Sequence, residues 1–202
     1  MKILFRPNYE KSEIVRFEYF KNFIKEKISI DEEYKLLDIW CSQLWFWENS
    51  NMEVFWIDIQ KNSVYDSDHF KIVNLDKEKL PYNDSFFDFI VAWEVIEHIK
   101  RPFEFIEECS RCLKKWWFLL LSTPNPHHYA EILKELFWMN VLDDKDHLNL
   151  FSRIHLTQYA KKFSLNLIEI KRYKFWIPFL KIMFISLKTP KLLNYQNIYI
   201  YF

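Results

Sequence analysis

From Leu36 to Asp58 the chain reads LLDIWCSQLWFWENSNMEVFWID, which is a strand, a tight turn, a short helix and a second strand ending on an acid. An apolar run with no polar alternation is buried on both faces, and such strands belong to parallel sheets. The turn that carries a parallel strand into a nucleotide-binding helix normally needs glycine, because a Cβ would block both the turn and the ligand. This chain of 202 residues contains no glycine, although an ordinary frequency of about 7% would supply roughly 14. Tryptophan, present nine times, stands instead at Trp40, Trp45, Trp47 and Trp56 within this unit.

The rest of the chain repeats the alternation. Lys35–Trp40 and Glu53–Asp58 are the first two strands, Phe70–Leu75 the third, Phe86–Ala92 the fourth and Trp117–Ser122 the fifth. A leading helix is expected over residues 12–28, where Ile14, Val15, Phe17, Phe20, Phe23 and Ile24 form one stripe and Ser12 can cap. A further helix is expected near Ser63–His69. Pro102–Lys115 is a helix with proline in its first turn. His127–Asn140 reads as helical, Asp143–Arg153 as a loop, Leu156–Phe163 as a short helix and Leu165–Tyr173 as a sixth strand. The alternating segment Asn197–Phe202 is expected as a final strand at the sheet edge. Strands alternating with helices give a doubly wound α/β fold with a mostly parallel sheet, here of seven strands with an antiparallel C-terminal edge strand.

The charges balance at 28 basic and 28 acidic residues, so no field favours a polyanion, and nucleic acid is not an expected partner. The opening MKILFRPNYEK is too charged for a secretory signal, and no run is long and apolar enough for a spanning helix. The apolar stretch 175–187 is open to three readings: core, a homodimer face, or peripheral contact with a membrane. Three cysteines do not make a disulfide framework, and Cys109 and Cys112 share one helix without a second pair, so no metal is expected there or elsewhere. A cytoplasmic domain spanning residues 1–202 is the resulting expectation.

Ligands of open α/β sheets bind outside the carboxyl ends of the strands, where the strand order reverses. The residues there are Asp38, Trp40, Cys41 and Ser42 after the first strand, Asp58 after the second and Asp76 after the third. Trp93-Glu94-Val95-Ile96-Glu97-His98 follows the fourth, and Ser122-Thr123-Pro124-Asn125 the fifth. An acid closing the second strand commonly accepts ribose hydroxyls. Each residue also has a plainer role open to it: Asp58 as a solvated strand end, Asp76 as a helix cap, His98 as a hydrogen-bonded structural histidine.

Put glycine at the tryptophans and the motifs become LLDIGCSQ, VFGIDI, VAGEVIEHI and LKKGGFLLLSTPNP. Together with LPYNDSFFD this series resembles the class I S-adenosylmethionine-dependent methyltransferases, in particular their small-molecule group, in order and spacing from about residue 35 to 126. HLTQYAKKFSLNLIEI is a weaker match to the helix and strand that follow. The resemblance implies a Rossmann-like methyltransferase fold with S-adenosylmethionine as cofactor. It divides the chain into a leading helix at 1–30, a cofactor-binding core at 35–126 and a substrate side with C-terminal strands at 127–202. It puts Asp38 and the turn Trp40, Cys41 and Ser42 beside the methionine end. Asp58 would take the ribose hydroxyls, Ile59 would flank the adenine, and Asp76 would face its amino group. Ala92, Trp93 and Glu94 would line the floor near the transferred methyl, with His98 below. His98 and Glu94 are the candidate catalytic residues. The acceptor would be a small molecule, sugar, lipid or quinone precursor, entering over Thr123–His128 and Asp143–His155.

The resemblance also sharpens the glycine problem. Trp40, Trp45, Trp47, Trp56, Trp93, Trp116, Trp117 and Trp138 fall where the family has or easily accepts glycine. Indoles at 40 and 93 are expected to intrude on the cofactor, and positive φ is expected at 116–117. Two origins follow. One is an AT-rich gene of an alternative genetic code in which UGA means glycine but is read as tryptophan. The other is a non-catalytic methyltransferase-like domain whose site the tryptophans block. A nicotinamide-dependent oxidoreductase fits neither, since glycine at the tryptophans of 40–47 gives GCSQLGFG rather than G-x-G-x-x-G.

Overall fold

The structure, a computed structural model, describes residues 18–39, 47, 52–60, 68–127, 132, 135–137, 146–174 and 195–201. The helix α1 (18–25) precedes β1 (Tyr34–Ile39), β2 (Met52–Asp58), β3 (Phe70–Ile72) and β4 (Phe87–Trp93). A one-turn 3₁₀ helix at Ile96–His98 leads to α2 (Pro102–Cys112) and β5 (Leu113–Pro124). Then come α3 (Arg153–Lys162), β6 (Glu169–Lys174) and β7 (Tyr195–Tyr201). They build one sheet in the order β3-β2-β1-β4-β5-β7-β6. The strands from β3 to β5 pair in parallel, and β7 is antiparallel to both β5 and β6.

The sheet is covered on both faces, and strand alternation decides which residue goes where. Leu37 and Ile39 of β1, Ile90 and Ala92 of β4, and Leu119 and Leu121 of β5 face one cluster. Phe105, Ile106 and Cys109 of α2 and Leu156 and Ala160 of α3 close it. Leu36, Phe89, Val91 and Leu120, the residues between, face Phe20, Phe23 and Ile24 of α1. That is the doubly wound arrangement expected from the sequence.

Four expectations change. The antiparallel strand β7 is not the edge; it lies between β5 and β6, and β6 is the edge. Side-chain alternation reports which faces a strand presents and carries no information on whether its hydrogen-bonding edges are covered. The third strand stops at Ile72 instead of Leu75, because Asn74 organises a turn. Its Oδ1 accepts Asp76 N–H at 3.0 Å and its carbonyl accepts the N–H groups of Lys77 and Glu78. The fifth strand begins at Leu113, straight out of α2. Phe87 pairs with Leu113 but Phe89 with Phe118, so β5 is bulged over residues 114–117. Finally, Arg153 belongs to α3, which Ser152 caps by accepting His155 N–H. The helix expected at Ser63–His69 and the apolar stretch 175–187 fall largely or wholly outside the described residues, as do residues 12–17 of the leading helix.

Candidate functional site at the carboxyl ends of the strands

Strand order reverses between β1 and β4, and the loops after β1, β2, β3 and β4 converge outside their carboxyl ends. An open cavity of about 70 Å³ lies there. Ile39, Ile57, Val73 and Ile99 supply apolar wall, and Asp58, Asn74, Asp76 and His98 supply polar groups. Ile59, 48% exposed, stands at the rim. Four of the residues singled out from sequence, Asp58, Ile59, Asp76 and His98, thus line one cavity.

The carboxylates are held by neutral donors. Asp58 Oδ1 accepts Gln60 N–H at 3.1 Å, and Asp76 Oδ1 accepts Lys100 N–H at 2.7 Å. Asp38, buried at the end of β1, accepts Trp47 Nε1–H at 2.8 Å. Burial pushes the Asp38 carboxyl up to about 7, and the Trp47 bond only partly opposes it. None of the three makes an ion pair among the described residues. They retain acceptor capacity for a ligand's hydroxyl, amino or ammonium groups.

The floor residues are arranged differently. Ala92 is buried in the core within β4 and does not line the cavity. Trp93 closes β4 and turns its ring onto Phe20 of α1, edge to face at 5.5 Å, so the indole is not among the cavity walls. Glu94 follows with φ 51°, a left-handed conformation uncommon for a non-glycine residue. Its N–H donates to the carbonyl and to Oγ of Ser122 at the end of β5. Strain of this kind is tolerated where the surroundings over-determine it, and it clusters at functional sites. Trp40, Cys41 and Ser42 lie outside the described residues.

His98 Nδ1 lies 3.0 Å from the Asp146 carbonyl, and its ring is 4.8 Å from that of His147. The loop bringing His147 there is fixed by backbone N–H groups of Leu148 and Asn149 on the Glu97 carbonyl, and by Asn149 Nδ2 on the Ile99 carbonyl at 2.6 Å. Sequence reasoning placed residues 143–155 on the substrate side but did not single out His147, Asn149 or Glu97. Nothing in the spacing links Glu97 to a residue fifty positions later; only the fold does.

The remaining tryptophans divide by environment. Trp47 is buried against the α1 face, bonded to Asp38. Trp56 has its Nε1–H buried without a hydrogen-bond partner among the described residues, a cost of about 1–3 kcal/mol. Trp116 has φ 73° and is 84% exposed, whereas Trp117 packs edge-on to Tyr34 and Phe89. The glycine-like conformation expected over 116–117 therefore falls on Trp116 alone.

Residues 33–170 match the methyltransferase domain family. No curated protein matches the chain by sequence. Among solved structures, an S-adenosylmethionine-dependent methyltransferase from Archaeoglobus fulgidus superposes with a TM-score of 0.65 at 16% identity, covering 92% of this chain and 93% of its own. One from Methanosarcina mazei gives 0.60 at 16% identity, over 89% and 95% of the two chains. The complex of the Haloferax volcanii Trm112 methyltransferase activator with a methyltransferase gives 0.62 at 13% identity, over 96% and 91%. At these identities the likeness is one of fold. Among the described residues no helix is long and apolar enough to cross a membrane. The chain belongs to the methyltransferase domain family, with the Rossmann-like α/β fold of the S-adenosylmethionine-dependent methyltransferases.

Proposed function

We propose that this protein binds S-adenosylmethionine and transfers its methyl group to a small-molecule, sugar, lipid or quinone-type acceptor. The observation that carries this reading is the meeting of Asp58, Asp76 and Ile59 around one cavity at the point where strand order reverses. Asp58 accepts the ribose hydroxyls, Asp76 the adenine amino group, and Ile59 covers the base. Asp38 faces the methionine end, where its carboxylate pairs with the ammonium group. The sulfonium makes the methyl electrophilic, so the chain's task is to align an in-line nucleophile and exclude water. Ala92 and Trp93, at the end of β4, position Glu94 near the transferred methyl, and Trp40, Cys41 and Ser42 are assigned to the methionine end. Glu94 or His98 takes a proton where the acceptor must lose one. We place this activity in the cytoplasm, in one domain over residues 1–202.

A second reading, a non-catalytic binding or scaffold domain, is favoured by one contact: Trp47 Nε1–H occupies Asp38, the carboxylate the methionine end needs. The alternative-code reading removes the conflict by making residue 47, with the other seven positions, glycine in the native protein. Codons decide that point: UGG at 40, 93 and 116 would exclude it, and mass spectrometry of the native protein decides it equally well.

Calorimetry with S-adenosylmethionine tests the function. Micromolar binding that falls tenfold or more in Asp58→Ala, a loss of about 1.4 kcal/mol or more, supports the assignment. Binding only to a chain with glycine at the eight tryptophans supports the family role and the code together. Absence of binding to both chains leaves the scaffold reading.

A further inference from the structure

Beyond the cofactor cavity, we infer that Glu97, His98 and His147 form a binding site for one divalent transition-metal ion of the zinc class. One ligand atom from each of the three lies within 4.8 Å of the others, the arrangement found among the described residues that groups three such donors. Around an ion with bonds of about 2.0–2.2 Å the donors of a tetrahedral site sit roughly 3.4 Å apart, so small side-chain rotations close it. The two histidine rings already lie 4.8 Å apart, centre to centre.

Two further observations support the site independently of proximity. The first is the tautomer of His98. Its Nδ1 lies 3.0 Å from the Asp146 backbone carbonyl, which can only accept, so Nδ1 is the donor of this bond and Nε2 is the nitrogen that the neutral ring would give to a metal. A ring nitrogen held this way by a carbonyl is the usual support of a metal-binding imidazole. The second is how firmly the two ligand-bearing segments are joined. Leu148 and Asn149 donate their N–H groups to the Glu97 carbonyl at 2.8 and 3.0 Å, and Asn149 Nδ2 donates to the Ile99 carbonyl. The loop carrying His147 is thereby fixed to the turn carrying Glu97 and His98, although they are fifty residues apart. Glu97 is 1% exposed, and in such surroundings a carboxylate interacts strongly with a cation.

Two imidazoles and one carboxylate select zinc-class ions over magnesium or calcium, which prefer all-oxygen shells. Three protein ligands leave a coordination position open. His98 also lines the cavity that holds Asp58 and Asp76, so the ion would sit beside it. On the methyl-transfer reading, the open position takes an oxygen of the acceptor and lowers its pKa. His98 then holds the ion, and any base is Glu94.

The experiment uses the full chain, stripped with chelator and loaded with Zn²⁺ or Co²⁺ in the absence of S-adenosylmethionine. One ion per chain by elemental analysis, with visible Co²⁺ bands, is expected. Glu97→Gln and His147→Ala each weaken binding by roughly 100-fold or more. His147→Cys, which restores a zinc ligand, retains Zn²⁺, and His155→Ala on α3 binds as the unaltered chain does. Circular dichroism and unfolding curves show that the variants are folded, and the cysteine variant stands in should the alanine variant not be. Absence of binding by the unaltered chain, or affinity in Glu97→Gln and His147→Ala equal to that of the unaltered chain, overturns the site. Because the ion is measured without cofactor and the cofactor without ion, failure of the metal site and failure of the methyl-transfer reading are separately visible.

Discussion

The two ends of this sheet treat carboxylates in opposite ways. At the amino ends of the strands every buried or half-buried acid described has a cation. Asp88, in the second position of β4, receives Lys114 Nζ on both oxygens at 2.9 Å and Lys35 N–H at 2.8 Å. Arg111, at the end of α2, joins Glu108 and Asp84 at 2.7 Å each and also donates to the carbonyls of Leu80 and Tyr82. Burial would raise Glu108, but the Arg111 hydrogen bond and charge outweigh it and hold its carboxyl below the ordinary range. The same interaction raises Arg111. At the carboxyl ends, Asp38, Asp58 and Asp76 have neutral N–H donors and no cation among the described residues. One end uses its acids to tie loops together; the other leaves them without a cation, as the proposed ligand requires.

The sharpest way to break this contrast is to titrate Asp38. A buried acid whose folded pKa is raised prefers its proton in the folded state, while the unfolded chain gives it up near 4. The folded state therefore loses stability as pH rises from about 4 to about 7, and the loss levels off above the folded pKa of about 7. Its full size is about 4 kcal/mol. Urea unfolding at pH 5 and pH 8 should show this slope, and Asp38→Asn should flatten it and be the more stable chain at pH 8. A cation near Asp38 would lower its pKa and reverse the slope, ending the distinction between the two ends. Binding of an ammonium-bearing cofactor should weaken roughly tenfold for each pH unit below 7, because Asp38 must first give up its proton.

The opposite end is tested by removing a cation. Lys114→Met leaves Asp88, 4% exposed, with only the Lys35 N–H. Breaking such a pair from one side costs about 3 kcal/mol, since the remaining charge stays buried. Asp58→Asn keeps an oxygen for its one exposed hydrogen bond but loses the charge, and should change stability by less than about 0.5 kcal/mol while impairing ligand binding. Equal losses in the two variants, read as urea midpoints, would mean that the ends are not specialised.

How much of this was visible in the sequence follows from the range of each interaction. The strands and the two-sided burial were legible because alternation and apolar runs are local, as in Leu36-Leu37 and Phe89-Ile90-Val91. Asp58 and Asp76 could be placed together on one side of the sheet because each follows a parallel strand, Asp58 closing β2 and Asp76 in the turn after β3. Asp88 was not, although it stands in the same FFDF run, because its partners are at positions 35 and 114. The grouping of Glu97 with His147 was hidden for the same reason. The placement of β7 inside the sheet was hidden because pairing along an edge leaves no mark on side-chain pattern. The tryptophans were legible as misfits, but their separate fates were not: Trp93 turns toward α1, Trp47 finds Asp38, and Trp116, alone among the described tryptophans, takes up a left-handed backbone.

That last residue gives the smallest effect and the cleanest separation of the two ends. Trp116 at φ 73° and Glu94 at φ 51° are strained non-glycine residues at opposite ends of neighbouring strands. A left-handed conformation costs an L-residue about 1–2 kcal/mol, which glycine avoids. Trp116 is 84% exposed, and the side-chain partner it has among the described residues is Lys115 Nζ, 5.0 Å from the ring centre, so little packing is lost with the indole. Trp116→Gly should therefore stabilise the chain by about 1 kcal/mol, whereas Trp116→Ala, which keeps a Cβ, should not. The difference between those two variants isolates backbone strain from side-chain contact. Glu94→Gly relieves the same kind of strain, but at the carboxyl end, where we propose that methyl transfer takes place. It should gain stability and lose transfer activity, while Trp116→Gly gains stability and leaves S-adenosylmethionine binding unchanged. A loss of binding in Trp116→Gly would show that strain at the amino end is also used by the ligand, and the division between the ends would have to be redrawn.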